Sequence, residues 1–259
     1  AKWIIMQFCS CYRYFYIAGG NHTMQAVLLA GGLGTRLRSV VADRPKPMAL
    51  IGDKPFMEYV VRELKNHGIT EIVFAVGYKG SMVEEYFGDG ERLGIKVSYA
   101  YEETLLGTAG AIKNAGRLVT DERFFVLNAD TFYQIQYDRL VKMSQEKNLD
   151  MALVLREVPD VSRYGRAVLE GDRLTAFDEK TEGTSPGTIN GGVYYMKRAL
   201  LDEIPEGKVS LEHDMIPKWL SGGEKALGGI VNDGYFIDIG IPEDYYRFID
   251  DVKKGAVTV

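Results

Sequence analysis

Residues 24–46 read MQAVLLAGGLGTRLRSVVADRPK, an apolar run that breaks into Gly31-Gly32-Leu33-Gly34-Thr35-Arg36. Residues without a Cβ let the backbone fold tightly and turn successive N–H groups toward one anion. Arg36 lies inside this loop and Lys46 follows between two prolines, so two cations join a loop already rich in donors. That composition suits a polyphosphate, with a plain glycine turn between strand and helix as the simpler alternative. A Walker loop would need a lysine and then Ser or Thr after the last glycine, and a dinucleotide fingerprint would need a glycine where Leu37 stands. Neither is present.

Two carboxylates could complete such a site. Asp130 ends the stretch FFVLNAD and Asp238 ends GYFID. A carboxylate at the end of a buried strand can hold Mg²⁺, which takes one or two carboxylates together with substrate phosphates. Singly, each aspartate is better explained as a turn or cap residue; beside a polyphosphate loop, the two favour a metal. Lys180 follows Phe177-Asp178-Glu179, and Asn190-Gly191-Gly192 precedes an apolar stretch. A lone lysine is usually solvated and says little. His22, His67 and His213 show neither metal-ligand spacing nor a paired Ser or Cys, which argues against histidine chemistry and covalent acyl transfer.

Positioning these groups requires strands that end together. Apolar periodicity predicts a strand at Ala26–Ala30, a helix over Pro55–Asn66, a strand at Glu71–Val76, a helix at Ser81–Phe87 and a strand at Lys96–Tyr101. A helix over Ala109–Leu118 and an apolar strand at Phe124–Leu127 follow. Strand and helix in alternation mean a parallel sheet covered on both faces, with ligands collecting outside the carboxyl ends of the strands. The glycine loop, Glu102 and Asp130 all fall at that edge. In the second half a helix at Tyr137–Lys147 and a strand at Met151–Leu155 precede a hairpin, Arg166–Leu169 with Leu174–Phe177 around Glu170-Gly171-Asp172-Arg173. Strands at Gly191–Met196, Leu227–Val231 and Tyr235–Ile239, a helix near His213–Leu220 and a last helix opening at Pro242 complete the reading. The expectation is a single Rossmann-like α/β domain with a mostly parallel central sheet, helices on both faces, and a second half that forms a lid with a smaller β subregion.

Composition removes several function classes. The 259 residues are 46% hydrophobic and 26% charged, ordinary for a globular chain, and the net charge of -5 with no basic run argues against nucleic acid as a partner. No apolar stretch reaches the roughly 18 residues of a membrane span. Both cysteines, Cys9 and Cys11, precede residue 24, which leaves the remainder without an internal disulfide and suits a reducing, cytoplasmic compartment. Residues 1–23 are aromatic-rich without a clear period and are expected to lie outside the fold, as upstream translation or added sequence. A signal-like segment is the alternative, but it lacks a continuous apolar centre.

Read together, MQAVLLAGGLGTRL, RPKPMALIGDKPFMEYVV, LGTAGAI, NAD, FDEK, INGGVY and DIGIPEDY resemble, in order and spacing, the sugar-1-phosphate nucleotidylyltransferases. The match runs from Met24 to the final helix. The resemblance implies the nucleotide-diphospho-sugar transferase fold and a reaction that joins a nucleoside triphosphate to a sugar 1-phosphate with release of pyrophosphate. It implies Arg36 and Lys46 as catalytic cations, and Leu29, Gly31, Gly32, Gly34, Thr35, Glu102, Gly107 and Thr108 as the nucleotide site. Gly165, Glu179, Lys180 and Asn190 would serve the sugar phosphate, and Asp130 and Asp238 would hold Mg²⁺. A homo-oligomer is compatible with it.

Base choice rests on Glu102 and the LGTAG segment. A carboxylate can accept from both N1–H and the exocyclic amino group of guanine, whereas uracil and thymine would turn carbonyls toward its charge; GTP is therefore expected. The chain most resembles the family's heptose 1-phosphate guanylyl branch. Mannose 1-phosphate with GTP, glucose or N-acetylmuramate 1-phosphate with UTP or dTTP, and a silent nucleotide-sugar-binding regulatory subunit are the alternatives. Three positions depart from the family pattern: Ala129 stands for a usual glycine, Leu105 for a proline before LGT, and Ser39 for a proline after the loop arginine.

Overall fold

Strand β1, Met24–Leu29, turns Ala26 and Leu28 into one apolar core and Val27 into another, as the two-residue period of a strand dictates when both faces are covered. The structure is a computed structural model that describes residues 24–32, 34, 37, 39–162, 165–178 and 185–259. The expected N-terminal extension and the candidates Thr35, Arg36, Glu179 and Lys180 lie outside the described residues.

After β1 come the short hairpin β2 (Leu50–Ile51) and β3 (Lys54–Pro55), α1 (Phe56–Asn66), β4 (Ile69–Val76), α2 (Gly80–Phe87), β5 (Lys96–Tyr101), α3 (Gly107–Gly116) and β6 (Arg123–Asn128). Then follow β7 (Thr131–Tyr133), α4 (Tyr137–Glu146), β8 (Met151–Val158), β9 (Arg166–Glu170), β10 (Arg173–Asp178) and β11 (Gly187–Lys197). A 3₁₀ segment, a π-helical turn at Leu211–Met215, α5 (Ile216–Gly222), β12 (Leu227–Val231), β13 (Phe236–Asp238) and α6 (Pro242–Lys253) end the chain. The elements match the expected ones to within a few residues at their ends. The longest extension is β11, which starts at Gly187 rather than Gly191 and so takes Asn190 into the strand.

The main sheet has nine strands in the order β5-β4-β1-β6-β11-β8-β12-β10-β9. Pairing is parallel through β5-β4-β1-β6 and again at β8–β12, and antiparallel on both sides of β11 and of β10. The second half thus joins the first edge to edge in one sheet, where a lid had been expected. Helices cover both faces: α1, α4 and α6 pack on the core containing Phe56, Leu140 and Phe248, and α3 and α5 on the core containing Ile112 and Trp219. A separate two-stranded sheet pairs β7 with β13 in antiparallel register, Thr131 opposite Asp238. Phe248 of α6 fixes that sheet in place, its ring meeting Phe132 of β7 at 5.6 Å and Phe56 of α1 at 4.8 Å between centroids. Among the described residues no helix is long and apolar enough to cross a membrane.

Candidate active site

Because β1, β4, β5 and β6 are parallel, the residues that follow them emerge at one edge. There the ladder continues one step beyond the strands: Ala30 N–H donates to the Ala75 carbonyl at 2.8 Å, Glu102 N–H to the Val76 carbonyl at 2.8 Å, and Ala129 N–H to the carbonyl of Leu29 at 3.1 Å. The start of the glycine loop, Glu102 and Asp130 are brought together by this parallel register.

Gly31 is enclosed on two sides. A Cβ built on it would stand 2.3 Å from Oε1 of Glu102, and a Cβ on Gly77 would meet the Gly31 carbonyl at 3.1 Å, so the loop passes Glu102 and the β4 end with no room for side chains. Gly32 is open, and Gly34 has φ +58° with its Cβ direction 2.9 Å from Cβ of Lys46. A glycine accepts that left-handed backbone without strain, which lets the loop rest directly on the lysine.

Lys46 is the meeting point of the acidic residues. Its side chain is mostly buried, and its Nζ forms an ion pair with Asp130 and lies 3.8 Å from Oδ1 of Asp238. Asp130 immediately precedes β7 and Asp238 ends β13, so antiparallel pairing of these two short strands sets the two carboxylates side by side; Ile239 N–H donates to the Asp130 carbonyl at 3.1 Å. Among the described residues no group of three or more His, Cys, Asp and Glu could hold a metal by itself. Two hard carboxylates already gathered around one positive charge do fit Mg²⁺, whose remaining ligands are commonly water and substrate phosphate. Ala129, next to Asp130, is fully buried in the core.

Glu102 accepts a hydrogen bond from Leu106 N–H at 3.2 Å. Burial pushes its carboxyl above the ordinary glutamate value, and that hydrogen bond offsets part of the effect. Leu105, in the turn between Glu102 and α3, is exposed. Gly107 opens α3 with φ +69°, and its Cβ direction points at the Val209 carbonyl, 2.5 Å away; that same carbonyl accepts from Ala109 and Gly110 N–H and so caps the helix. A side chain at 107 would meet backbone on both counts. Gly107→Ala is therefore expected to cost about 2–4 kcal/mol of stability, measured by urea unfolding; a loss below about 0.5 kcal/mol would contradict this geometry.

The Thr108 hydroxyl is engaged by the π-helical turn, donating to Glu212 at 2.6 Å and accepting from Leu211 N–H at 2.7 Å. Asn190 and Gly165 are neighbours, Asn190 N–H donating to the Gly165 carbonyl at 3.2 Å. The Asn190 side chain donates to the Tyr194 hydroxyl at 2.5 Å and accepts from Gly192 N–H at 3.0 Å, at a break in the β11–β8 register. Gly192, with φ +71°, packs against Asn128, which ends β6 two residues before Asp130. That contact links the Asn190 side of the site to the carboxylates. Sequence reasoning missed Tyr194 and Glu212: Tyr194 closes the INGGVY stretch but reads as a core residue of its strand, Glu212 lies in none of the motifs, and only the fold brings Glu212 to Thr108 of α3.

The glycines 31, 32 and 34, a lysine between two aspartates and a half-buried glutamate meet at one sheet edge, and the chain belongs to the nucleotidyl transferase family, whose model matches residues 25–255. It is 43% identical over 228 residues to the D-glycero-α-D-manno-heptose 1-phosphate guanylyltransferase of Campylobacter jejuni, covering 87% of this chain and 99% of that one. The protein of the same name from Aneurinibacillus thermoaerophilus is 41% identical over 225 residues, 86% of this chain and 96% of its own. Among solved structures it resembles HddC of Yersinia pseudotuberculosis in complex with GMP-PN, with a TM-score of 0.78, 35% identity, and coverage of 88% and 99% of the two chains.

Proposed function

We propose that this chain transfers a guanylyl group from GTP to D-glycero-α-D-manno-heptose 1-phosphate, forming GDP-heptose and pyrophosphate. The observation that carries the reading is the meeting of Lys46, Asp130 and Asp238 at the edge where Glu102 stands over Gly31. The named relatives, two of them heptose 1-phosphate guanylyltransferases and one solved in complex with GMP-PN, support the choice of both substrates.

In this mechanism an oxygen of the sugar phosphate attacks the α-phosphorus of GTP while the bond to the β-phosphate breaks in line. Both reactants are anions and repel each other unless neutralised, so charge and alignment supply most of the rate. The N–H groups of Gly31, Gly32 and Gly34 would receive the triphosphate together with Thr35 and Arg36, beside Leu29 at the end of β1. Lys46 would stabilise charge on the phosphates, and Lys180 with Glu179 would hold the sugar phosphate in a pocket that includes Gly165 and Asn190. Asp130 and Asp238 would hold Mg²⁺, which when bound screens the phosphate charge. Gly107 and Thr108 would shape the base pocket from the start of α3.

Glu102 would read guanine by accepting from two of its N–H groups. Glu102→Gln is expected to lower the preference for GTP over UTP by about tenfold or more, because an amide offers one acceptor fewer. In the unaltered enzyme KM for GTP should rise on acidification, beginning above the pH at which an ordinary glutamate protonates, since burial raises this carboxyl. An unchanged GTP/UTP ratio in Glu102→Gln would remove the base assignment. The direct test of the whole reading is pyrophosphate release from each nucleoside triphosphate against a panel of sugar 1-phosphates: GTP with the heptose 1-phosphate should give the highest kcat/KM, and a better pair would replace it.

A further inference from the structure

We infer that Glu212 is a positioning residue that fixes the side-chain amide of Asn190 through Tyr194, and so sets which hydrogen-bonding groups the sugar pocket presents. The inference rests on the proposed reading that Asn190 lines that pocket. Tyr194 is wholly buried between the two, its hydroxyl donating to Oε1 of Glu212 at 2.9 Å and receiving Nδ2 of Asn190 at 2.5 Å. A hydroxyl carries one proton. Burial holds the Tyr194 phenol well above its ordinary value, so that proton stays in place. Because a carboxylate only accepts, the proton is committed to Glu212, and Tyr194 can then only accept from Asn190. The amide must turn its NH₂ to the tyrosine and its oxygen to Gly192 N–H.

The other oxygen of the same carboxylate accepts from Thr108 at 2.6 Å and from Ser210 at 3.2 Å. One half-buried carboxylate therefore contacts both the start of α3 and, through Tyr194, Asn190. Glu212 sits in the π-helical turn Leu211–Met215, a rare geometry frequent at functional sites.

The test separates the relay from plain packing. Tyr194→Phe cuts the path to Asn190 while leaving the Glu212–Thr108 contact. It is expected to raise KM for the heptose 1-phosphate by about tenfold and to leave KM for GTP within about twofold. In an Asn190→Ala background the same substitution should have no further effect on the sugar KM, because its target is gone. Glu212→Gln, whose amide can donate to Tyr194 and reverse the hydrogen bond, should raise the sugar KM likewise and lose that effect in Asn190→Ala, which keeps the test open should Tyr194→Phe fold poorly. Effects that add to those of Asn190→Ala, or that fall equally on both substrates, would overturn the relay. An unaltered enzyme that makes no GDP-sugar would overturn the functional reading instead, so the two failures are distinguishable.

Discussion

Asp130→Asn and Asp238→Asn are each expected to lower metal-dependent pyrophosphate release by about a hundredfold to a thousandfold, the scale of losing one well-placed electrostatic group. Asparagine is nearly isosteric with aspartate, so the substitution removes charge and little else. The contact that holds the local fold uses backbone: the Asp130 carbonyl receives Ile239 N–H, and β7 pairs with β13 through main-chain groups. Phe248 packs on Phe132 without reference to either carboxylate. Stability should accordingly stay within about 1 kcal/mol of the unaltered chain, and the loss should lie in kcat more than in KM for the sugar phosphate. The check is a pyrophosphate-release assay at several Mg²⁺ concentrations with urea unfolding of the same samples. Full turnover in both variants would sink the two-carboxylate assignment.

Both aspartates carry a local signal in the sequence. Asp238 directly follows the apolar run Tyr235–Ile237, and Asp130 follows Phe124–Leu127 after Asn128 and Ala129; short apolar runs of this kind are consistent with buried strands. The parallel half of the sheet was legible because alternating strand and helix periods imply parallel strands, and with them the shared edge where Gly31, Glu102 and Asp130 meet, though not the order β5-β4-β1-β6. What was not legible depends on pairing between distant segments. Nothing local states that β11 would insert antiparallel between β6 and β8, and this insertion makes the second half part of the sheet where a lid was expected. At the register break within the same strand Asn190 meets Tyr194, four residues on, and Tyr194 reaches Glu212 in the π-helical turn beyond the intervening 3₁₀ segment. Thr108 illustrates the limit at a single residue. Its neighbourhood of glycines suggests a nucleotide contact, yet its hydroxyl is engaged by Leu211 and Glu212, more than a hundred positions away.

Lys46 provides the second large effect, and one that a simple loss of structure would not reproduce. Lys46→Met keeps the length and apolar stem of a side chain that is mostly buried and flanked by Pro45 and Pro47, so the backbone that supports it should persist. Turnover is expected to fall by about a thousandfold, equivalent to about 4 kcal/mol of transition-state stabilisation, because the triphosphate loses the cation on which Gly34 rests. Metal affinity should move the other way. The ammonium competes for the oxygens of Asp130 and Asp238; with it gone, two adjacent negative charges repel, and a divalent cation is the group that relieves them. Mn²⁺ binding measured by calorimetry without nucleotide should tighten by about tenfold in Lys46→Met, since one competing positive charge has been removed. The same binding should weaken in Asp130→Asn, where one of the carboxylates loses its charge. Activity lost together with metal binding in Lys46→Met would mean that the lysine only holds the carboxylates in place. Activity lost while metal binding strengthens would assign it the role of a cation that shares the phosphates with the metal.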